Sequence, residues 1–313
     1  MAGNANFDAL LSTTLANYRP QLTDNVFNAR PLTYFLMDKG RIRMLNGGTK
    51  IVEPLIYGEN STVGSYSGFD SIALTPQEGI TAAEYEWKQY AASISISGIE
   101  EAKNNGEQEV INLLEAKIMQ AEESMREGFN AMFFADGTGN SGKDWNGLGN
   151  LVEASGTVGG INRATSGNEF WRSYEENTSA ALSLAYMATA YNTVSVGNDH
   201  PDMILTTQTL FEKYEALLQP NLRYTDTKTA DAGFQNLLFK AAPVVYDVDC
   251  TSGVMYFLNS KYLTLVGHSG KWFAQTSFVS PEDVDARYAL IMCYGNLTCR
   301  NCKKQGKLTA KTS

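Results

Sequence analysis

The stretch EQEVINLLEAKIMQAEESMREGFNAMFFA, residues 107–135, runs directly into DGTGNSGKDWNGLG, residues 136–149. The first part holds no proline, and Gly128 is its only weak helix former. Ile111, Leu114, Ile118, Ala121, Met125, Phe129 and Met132 recur at steps of three and four residues. That is one apolar stripe on a helix of ~29 residues, or ~43 Å at 1.5 Å per residue. Glu115, Glu122, Glu123 and Glu127 occupy the other faces. Globular helices average only about a dozen residues, so this one predicts a long structural axis. Too few clean heptads are present for a coiled coil.

The loop that follows carries two well-known phosphate-loop spellings. Gly137-x-Gly139-x-x-Gly142 matches GxGxxG, and Gly137 to Gly142-Lys143 matches most of a P-loop. Such loops must leave a strand and open a helix, so that backbone amides and the helix N-terminus face the phosphates. This one leaves a helix, and Asp144 stands where a P-loop needs Ser or Thr. It reads instead as a glycine-rich stop for the helix.

Working outward, residues 47–97 read as a long β-hairpin. Thr49 to Tyr57 is strand-like, and Ala91-Ala92-Ser93-Ile94-Ser95-Ile96-Ser97 alternates with period two. A Gly/Ser/Thr-rich stretch between them predicts a wide tip that reaches away from the body. Its aromatics Tyr57, Tyr66, Phe69, Tyr85, Trp87 and Tyr90 are candidate contacts with other subunits, since aromatics dominate interface energetics. Local packing is the competing role for each. Residues 1–45 read as an arm interrupted by Pro20 and Pro31, with a short amphipathic stretch at Phe7, Leu10, Leu11 and Leu15.

Beyond the loop, a second helix is expected over about 171–193 and a third around Leu210, Phe211, Tyr214, Leu217 and Leu218. Short strands are expected at 201–207, 243–246, 254–258, 262–266 and 271–279, and a final one at 288–298. Residues 222–236 read as a polar loop. The fold class is therefore α+β.

The composition bounds the chemistry. Hydrophobic residues make up 43% of the 313 and charged residues 19%, which excludes disorder as the main state. No apolar run reaches the ~18 residues of a membrane span, and the first residues lack the basic and apolar regions of a secretory signal. The net charge is −9, from 25 basic and 34 acidic residues, but it is uneven. Arg287, Arg300, Lys303, Lys304, Lys307 and Lys311 end the chain with no acidic residue among them, leaving 19 basic against 34 acidic, or −15, elsewhere. An acidic body thus carries a basic tail, read either as a solvated terminus or as a contact with an acidic neighbour or nucleic acid. Cys299-x-x-Cys302 lacks a fourth zinc ligand and a thioredoxin-like setting, so neither metal nor cofactor is expected. The only histidines, His200 and His268, stand near no nucleophile elbow. The acidic pairs Glu100-Glu101, Glu122-Glu123 and Glu175-Glu176 are sequence neighbours on helices or their ends and do not face each other. No enzymatic activity is expected.

Hairpin, long helix, then Asp136-Gly137-Thr138-Gly139 leading to Trp145-Asn146-Gly147-Leu148 resembles the major capsid proteins of tailed phages, with the HK-ninety-seven fold. Thr157-Val158-Gly159-Gly160-Ile161-Asn162-Arg163, shortly before Phe170-Trp171-Arg172, is similar to one branch of that family. The resemblance covers nearly the whole chain in element order. It implies an N-terminal arm at 1–46, an extended E-loop hairpin at 47–97 and a P-domain at 98–198 with its spine helix at 107–135. An inserted A-domain would follow at 199–280, with the 222–236 loop near a local symmetry axis, then a returning P-domain strand and basic tail at 281–313.

The function so implied is a major capsid protein of a bacteriophage, a structural protein that self-assembles through hexamers and pentamers into an icosahedral shell. The shell would enclose double-stranded DNA without sequence specificity, forming in the host cytoplasm and residing in the virion. A portal, a separate scaffolding protein and a decoration protein are the implied partners; no membrane is. An acidic body suits a container for a polyanion. The alternative is an encapsulin-type nanocompartment shell, whose usual N-terminal helix the proline-interrupted arm does not match. Two family features are missing. The cleaved helical scaffold segment of ~100 residues that some members carry is missing before the hairpin, so that either scaffolding comes from a separate protein or this chain is a mature form, and no Lys–Asn pair with an activating Glu marks a cross-link.

Overall fold

The structure is a computed structural model that describes residues 30–72, 74–103, 107–218 and 236–312. The expectations for residues 1–29 and for most of the 222–236 loop lie outside these residues. In chain order the principal helices are α1 (Pro31–Asp38), α2 (Gly98–Lys103), α3 (Glu107–Phe134), α4 (Leu184–Val194) and α5 (Gln208–Leu217). The principal strands are β1 (Ile42–Leu45), β2 (Ile51–Ile56), β3 (Ile80–Tyr85), β4 (Lys88–Ser97), β5 (Tyr174–Glu176), β6 (Met203–Thr206) and β7 (Asn236–Phe239). They continue as β8 (Ala242–Tyr246), β9 (Met255–Leu258), β10 (Leu263–His268), β11 (Ala274–Gln275), β12 (Ala286–Cys299) and β13 (Gly306–Leu308).

The long helix α3 has 28 residues. Ile118, Ala121, Met125, Phe129 and Met132 of the expected stripe are buried, and Phe133 and Phe134 join them. Gly128 also makes room for a neighbour: a Cβ there would lie 1.9 Å from the Tyr90 hydroxyl, so a larger residue would displace that ring. After Phe134 the chain turns back over the helix end, where the Gly149 amide donates to the Ala135 carbonyl at 3.1 Å. A Cβ on Gly147 would meet the Ala135 and Met132 carbonyl oxygens at 2.2 and 2.4 Å. The glycine-rich loop is thus a helix stop whose glycines permit close backbone return.

Two sheets organise the rest. In the first, β12 is the centre, pairing antiparallel with β4, β10 and β11, while β1 adds parallel to β10. The second has the order β7-β8-β6-β9-β13-β5. Its strands alternate between two cores, as a period of two requires when both faces are covered. Met203, Leu205, Val245, Tyr256 and Leu258 face the main core with α3 and the first sheet. Ile204, Val244, Met255, Phe257 and Leu308 face a second core formed with Met187, Ala190 and Tyr191 of α4 and Leu210, Phe211 and Tyr214 of α5.

Several expectations are corrected. The hairpin is β2 with β3, paired from Ile51↔Tyr85 to Ile56↔Ile80. The alternating run ending at Ser97 does not return to β2; it pairs over ten residues with β12. Period-two alternation marks a half-buried strand but not its partner. The helix expected over 171–193 begins only at Leu184, where the Ser183 hydroxyl accepts from the Tyr186 amide. Before it, β5 is drawn into the second sheet by parallel pairing with β13. The sheets draw on both sides of positions 198/199 and 280/281: β10 and β11 pair in one sheet with β12, and β5 and β13 join β6 to β9 in the other.

The basic tail is not a solvated terminus. β13 lies inside the second sheet, and Lys311–Thr312 pairs with Ala180–Ala181. Three of its cations meet partners within the chain. Lys307 reaches Glu175 at 3.3 Å, Lys304 reaches Asp199 at 3.9 Å, and Lys311 donates to the Thr178 carbonyl and lies 4.2 Å over the Tyr186 ring.

Candidate functional site

The feature that the fold does not use for itself is the outer part of the hairpin. β2 alternates strictly: Ile51, Glu53 and Leu55 are buried against the body while Val52, Pro54 and Ile56 face out. Ala83 and Tyr85 of β3 complete the buried face. Pro54, without an amide hydrogen, suits the free edge of a two-stranded ribbon.

The root is held by charge as well as by packing. Glu53 is fully buried, and its carboxylate accepts from Arg43, from Arg300 Nε at 2.7 Å and from the Thr298 hydroxyl at 3.4 Å. The Tyr85 hydroxyl donates to the Cys299 carbonyl at 2.7 Å and accepts from the Cys299 amide at 3.2 Å. Burial, with the neighbouring Cys302 and Cys299, pushes that phenol well up, so it stays a neutral donor. The root is thereby fastened to the end of β12.

The tip is different. Phe69 is fully exposed, Leu74, Ile56 and Val63 are 90%, 84% and 83% exposed, and Tyr66 and Ile72 are also open. Its polar contacts are local: Ser61 with Gln77, Thr62 with Asn60, and the Ser67 amide with Asp70. Clustered exposed apolar side chains of this kind are characteristic of interaction surfaces, and they make the hairpin tip the candidate site.

The six aromatic candidates divide along this axis. Tyr66 and Phe69 are free at the tip. Tyr57 is partly exposed and stacks on Phe170 with ring centroids 4.7 Å apart. Trp87 donates to the Gly48 carbonyl at 2.9 Å and meets His268 edge-on. Tyr90 packs on Phe129 at 4.5 Å. Tyr85, at 2% exposure, is core and presents no surface to a partner. Aromatic content alone missed Val63, Ile72 and Leu74, which the sequence placed in plain view at the tip. Glu53 was legible too, as a charge between two apolar positions on one strand face.

Both histidines are engaged in local contacts. His268 accepts from the Gly270 amide at 3.1 Å, and His200 contacts the Pro201 carbonyl and the Tyr191 ring. Among the described residues no cluster of three or more His, Cys, Asp or Glu could hold a metal ion, and no helix is long and apolar enough to cross a membrane.

No protein-family model matches the sequence, and comparison with curated proteins finds no match. Solved structures do match. The capsid asymmetric unit of cyanophage A-1(L) is 17% identical, covers 87% of this chain and 91% of that one, and superposes with a TM-score of 0.65. A chain from Mycobacterium phage Bobi is 12% identical over 88% of this chain and 90% of that one, at 0.54. The holo-SrpI encapsulin complex from Synechococcus elongatus is 10% identical over 88% and 87%, also at 0.54. At such identities the likeness is one of fold. The chain has the α+β, HK-ninety-seven-like fold of capsid shell proteins.

Proposed function

We propose that this chain is the major capsid protein of a tailed bacteriophage, a structural protein whose copies form hexamers and pentamers that close into an icosahedral shell around double-stranded DNA. The observation that carries this reading is the apolar hairpin tip, which has no partner within the described residues, on a body with a shell-protein fold. A closed shell supplies the missing partner by repeating one heterologous contact between neighbours. Many weak overlaps per subunit then add to a strong assembly. In this reading the hairpin is the E-loop, α3 is the spine helix, the first sheet with α3 is the P-domain and the second sheet is the A-domain. Residues 1–46 would be the arm. Scaffolding, portal and decoration proteins would be separate chains, and assembly would occur in the host cytoplasm before the shell takes its place in the virion.

The greater similarity to the cyanophage capsid favours this over the encapsulin alternative, which the Synechococcus structure supports at a lower TM-score. Negative-stain electron microscopy of the purified protein, alone and with a candidate scaffold, tests the proposal. Closed shells are expected. A stable monomer at high concentration under every condition would refute it. Genes for a portal or terminase beside this one, rather than for an enclosed enzyme, decide between phage and encapsulin.

A further inference from the structure

Arg163 is fully buried, and among the described residues no carboxylate pairs with it. Its guanidinium donates to four backbone carbonyls, those of Asn150, Leu151, Ser155 and Trp171, at 2.8–3.2 Å. Its one side-chain partner is the Cys302 sulfur, 3.4 Å from Nη2. The carbonyls satisfy its hydrogen-bonding capacity but leave the charge unmatched, and a buried charge is costly unless it is paired. Cys299, also fully buried, lies within hydrogen-bonding reach of Cys302.

We infer that Cys302 is held as a thiolate, the counter-charge of Arg163, and that the Cys299–Cys302 pair is an oxidation site for small peroxides. The chemistry balances in two steps. The Cys302 thiolate attacks one oxygen of hydrogen peroxide, the O–O bond breaks, and a sulfenic acid and hydroxide form. Cys299 then gives its proton to that hydroxide, forming water, and attacks the sulfenic sulfur as a thiolate; the S–O bond breaks, and a disulfide and hydroxide result. Two electrons pass from the cysteines to the peroxide. Peroxide is small enough to reach buried sites through the same fluctuations that admit water.

The other two cysteines are an internal control. Cys250 and Cys293 are likewise buried and free, and burial pushes both thiols up. For Cys302 burial acts in the same direction, but the hydrogen bond from Cys299 and the Arg163 charge outweigh it and hold the thiol below its ordinary value. Only the thiolate is the nucleophile. Oxidation would land on the hairpin's anchorage, since Cys299 binds Tyr85 and Arg300, between the two cysteines, binds Glu53.

The test treats the full folded chain with dilute hydrogen peroxide at neutral pH, then denatures and alkylates it at timed intervals. Mass spectrometry maps the four cysteines after a non-tryptic digest, because trypsin cuts at Arg300 between the pair. A Cys299–Cys302 disulfide is expected to form ~10-fold or more faster than Cys250 or Cys293 is lost. Cys299→Ser should instead accumulate a sulfenic acid at Cys302, trapped by dimedone, whereas Cys302→Ser should leave Cys299 as slow as Cys293. Equal rates at all four cysteines, or Cys302 reacting no faster than Cys293, would overturn the inference. Both outcomes are read on the unmutated chain, so neither depends on a variant folding.

Discussion

Replacing Phe69 by Ser should leave the subunit's folding intact and impair its assembly. Phe69 is fully exposed, so its side chain has no buried area to lose within the chain. The expected change in unfolding free energy lies within ~0.5 kcal/mol, as for other surface substitutions. If the ring is covered by a neighbour in the shell, its burial there stabilises each contact by ~1.5–3 kcal/mol. At ~1.4 kcal/mol per tenfold, the association constant per contact falls ~10- to 150-fold. Leu74→Ser, also at the tip, should act the same way. Tyr85→Ala is the counter-experiment: its ring is core, so it should cost ~3–5 kcal/mol of folding stability, in the range of large aromatic truncations. Assembly is read by light scattering and sedimentation across a concentration series. Circular dichroism melts of the unassembled subunit give its stability. Unchanged assembly thresholds in both tip variants would refute the reasoning, as would a clear drop in the melting temperature of the unassembled Phe69→Ser subunit.

At the hairpin root, Glu53→Gln should cost ~1.5–3 kcal/mol, the value of hydrogen bonds to a charged group. The low end is expected, because Arg43 and Arg300 are 34% and 40% exposed and can turn to water. Removing both arginines, as Arg43→Met with Arg300→Met, strands the buried carboxylate and should cost more, ~3–5 kcal/mol; urea midpoints in the reverse order would contradict the clamp. Gly147→Ala should cost ~1–3 kcal/mol by overpacking against the carbonyls at the end of α3, and an unchanged urea midpoint would show that the loop can move away. Asp247 is buried, and burial raises its carboxyl above the ordinary range. Its folded-state contribution is therefore fully present below the unfolded value and is lost as pH rises through the raised one. Asp247→Asn should flatten the fall in stability as pH rises above the ordinary carboxylate range, and parallel slopes for the two proteins would refute the assignment.

The long helix was legible because its stripe persists over many turns and nothing interrupts it. The loop after it was legible by context, since a glycine-rich segment leaving a helix cannot cradle phosphate as one opening a helix does. The strand at Ala91 to Ser97 was legible as a strand but not in its pairing, because β12 lies about 190 residues away and alternation says nothing about distance. The start of α4 was misplaced because Tyr174 and Ala181 fall on the helical period by chance, while Ser183 supplies the true cap. At the tip, exposure rather than residue type decided which side chains are free, and so the aromatic list included Tyr85 and passed over Leu74. Arg163 gave no signal, since its partners are carbonyls of its own loop region and a sulfur 139 residues on.

The last segment of the chain does more than its charge suggested. β12 joins strands that begin at residues 88, 263 and 274, and β13 closes the second sheet between β9 and β5. Both sheets therefore wait on residues 286–308 to be complete. Contacts this distant in sequence close slowly, because loop entropy is lost before the pairing compensates it. The hairpin root depends on the same segment, through Arg300 on Glu53 and Cys299 on Tyr85. A subunit whose β12 has not docked therefore lacks the anchorage that holds its apolar hairpin in position. Coupling the two means that the apolar hairpin is set in place only on a body whose last strands have already docked.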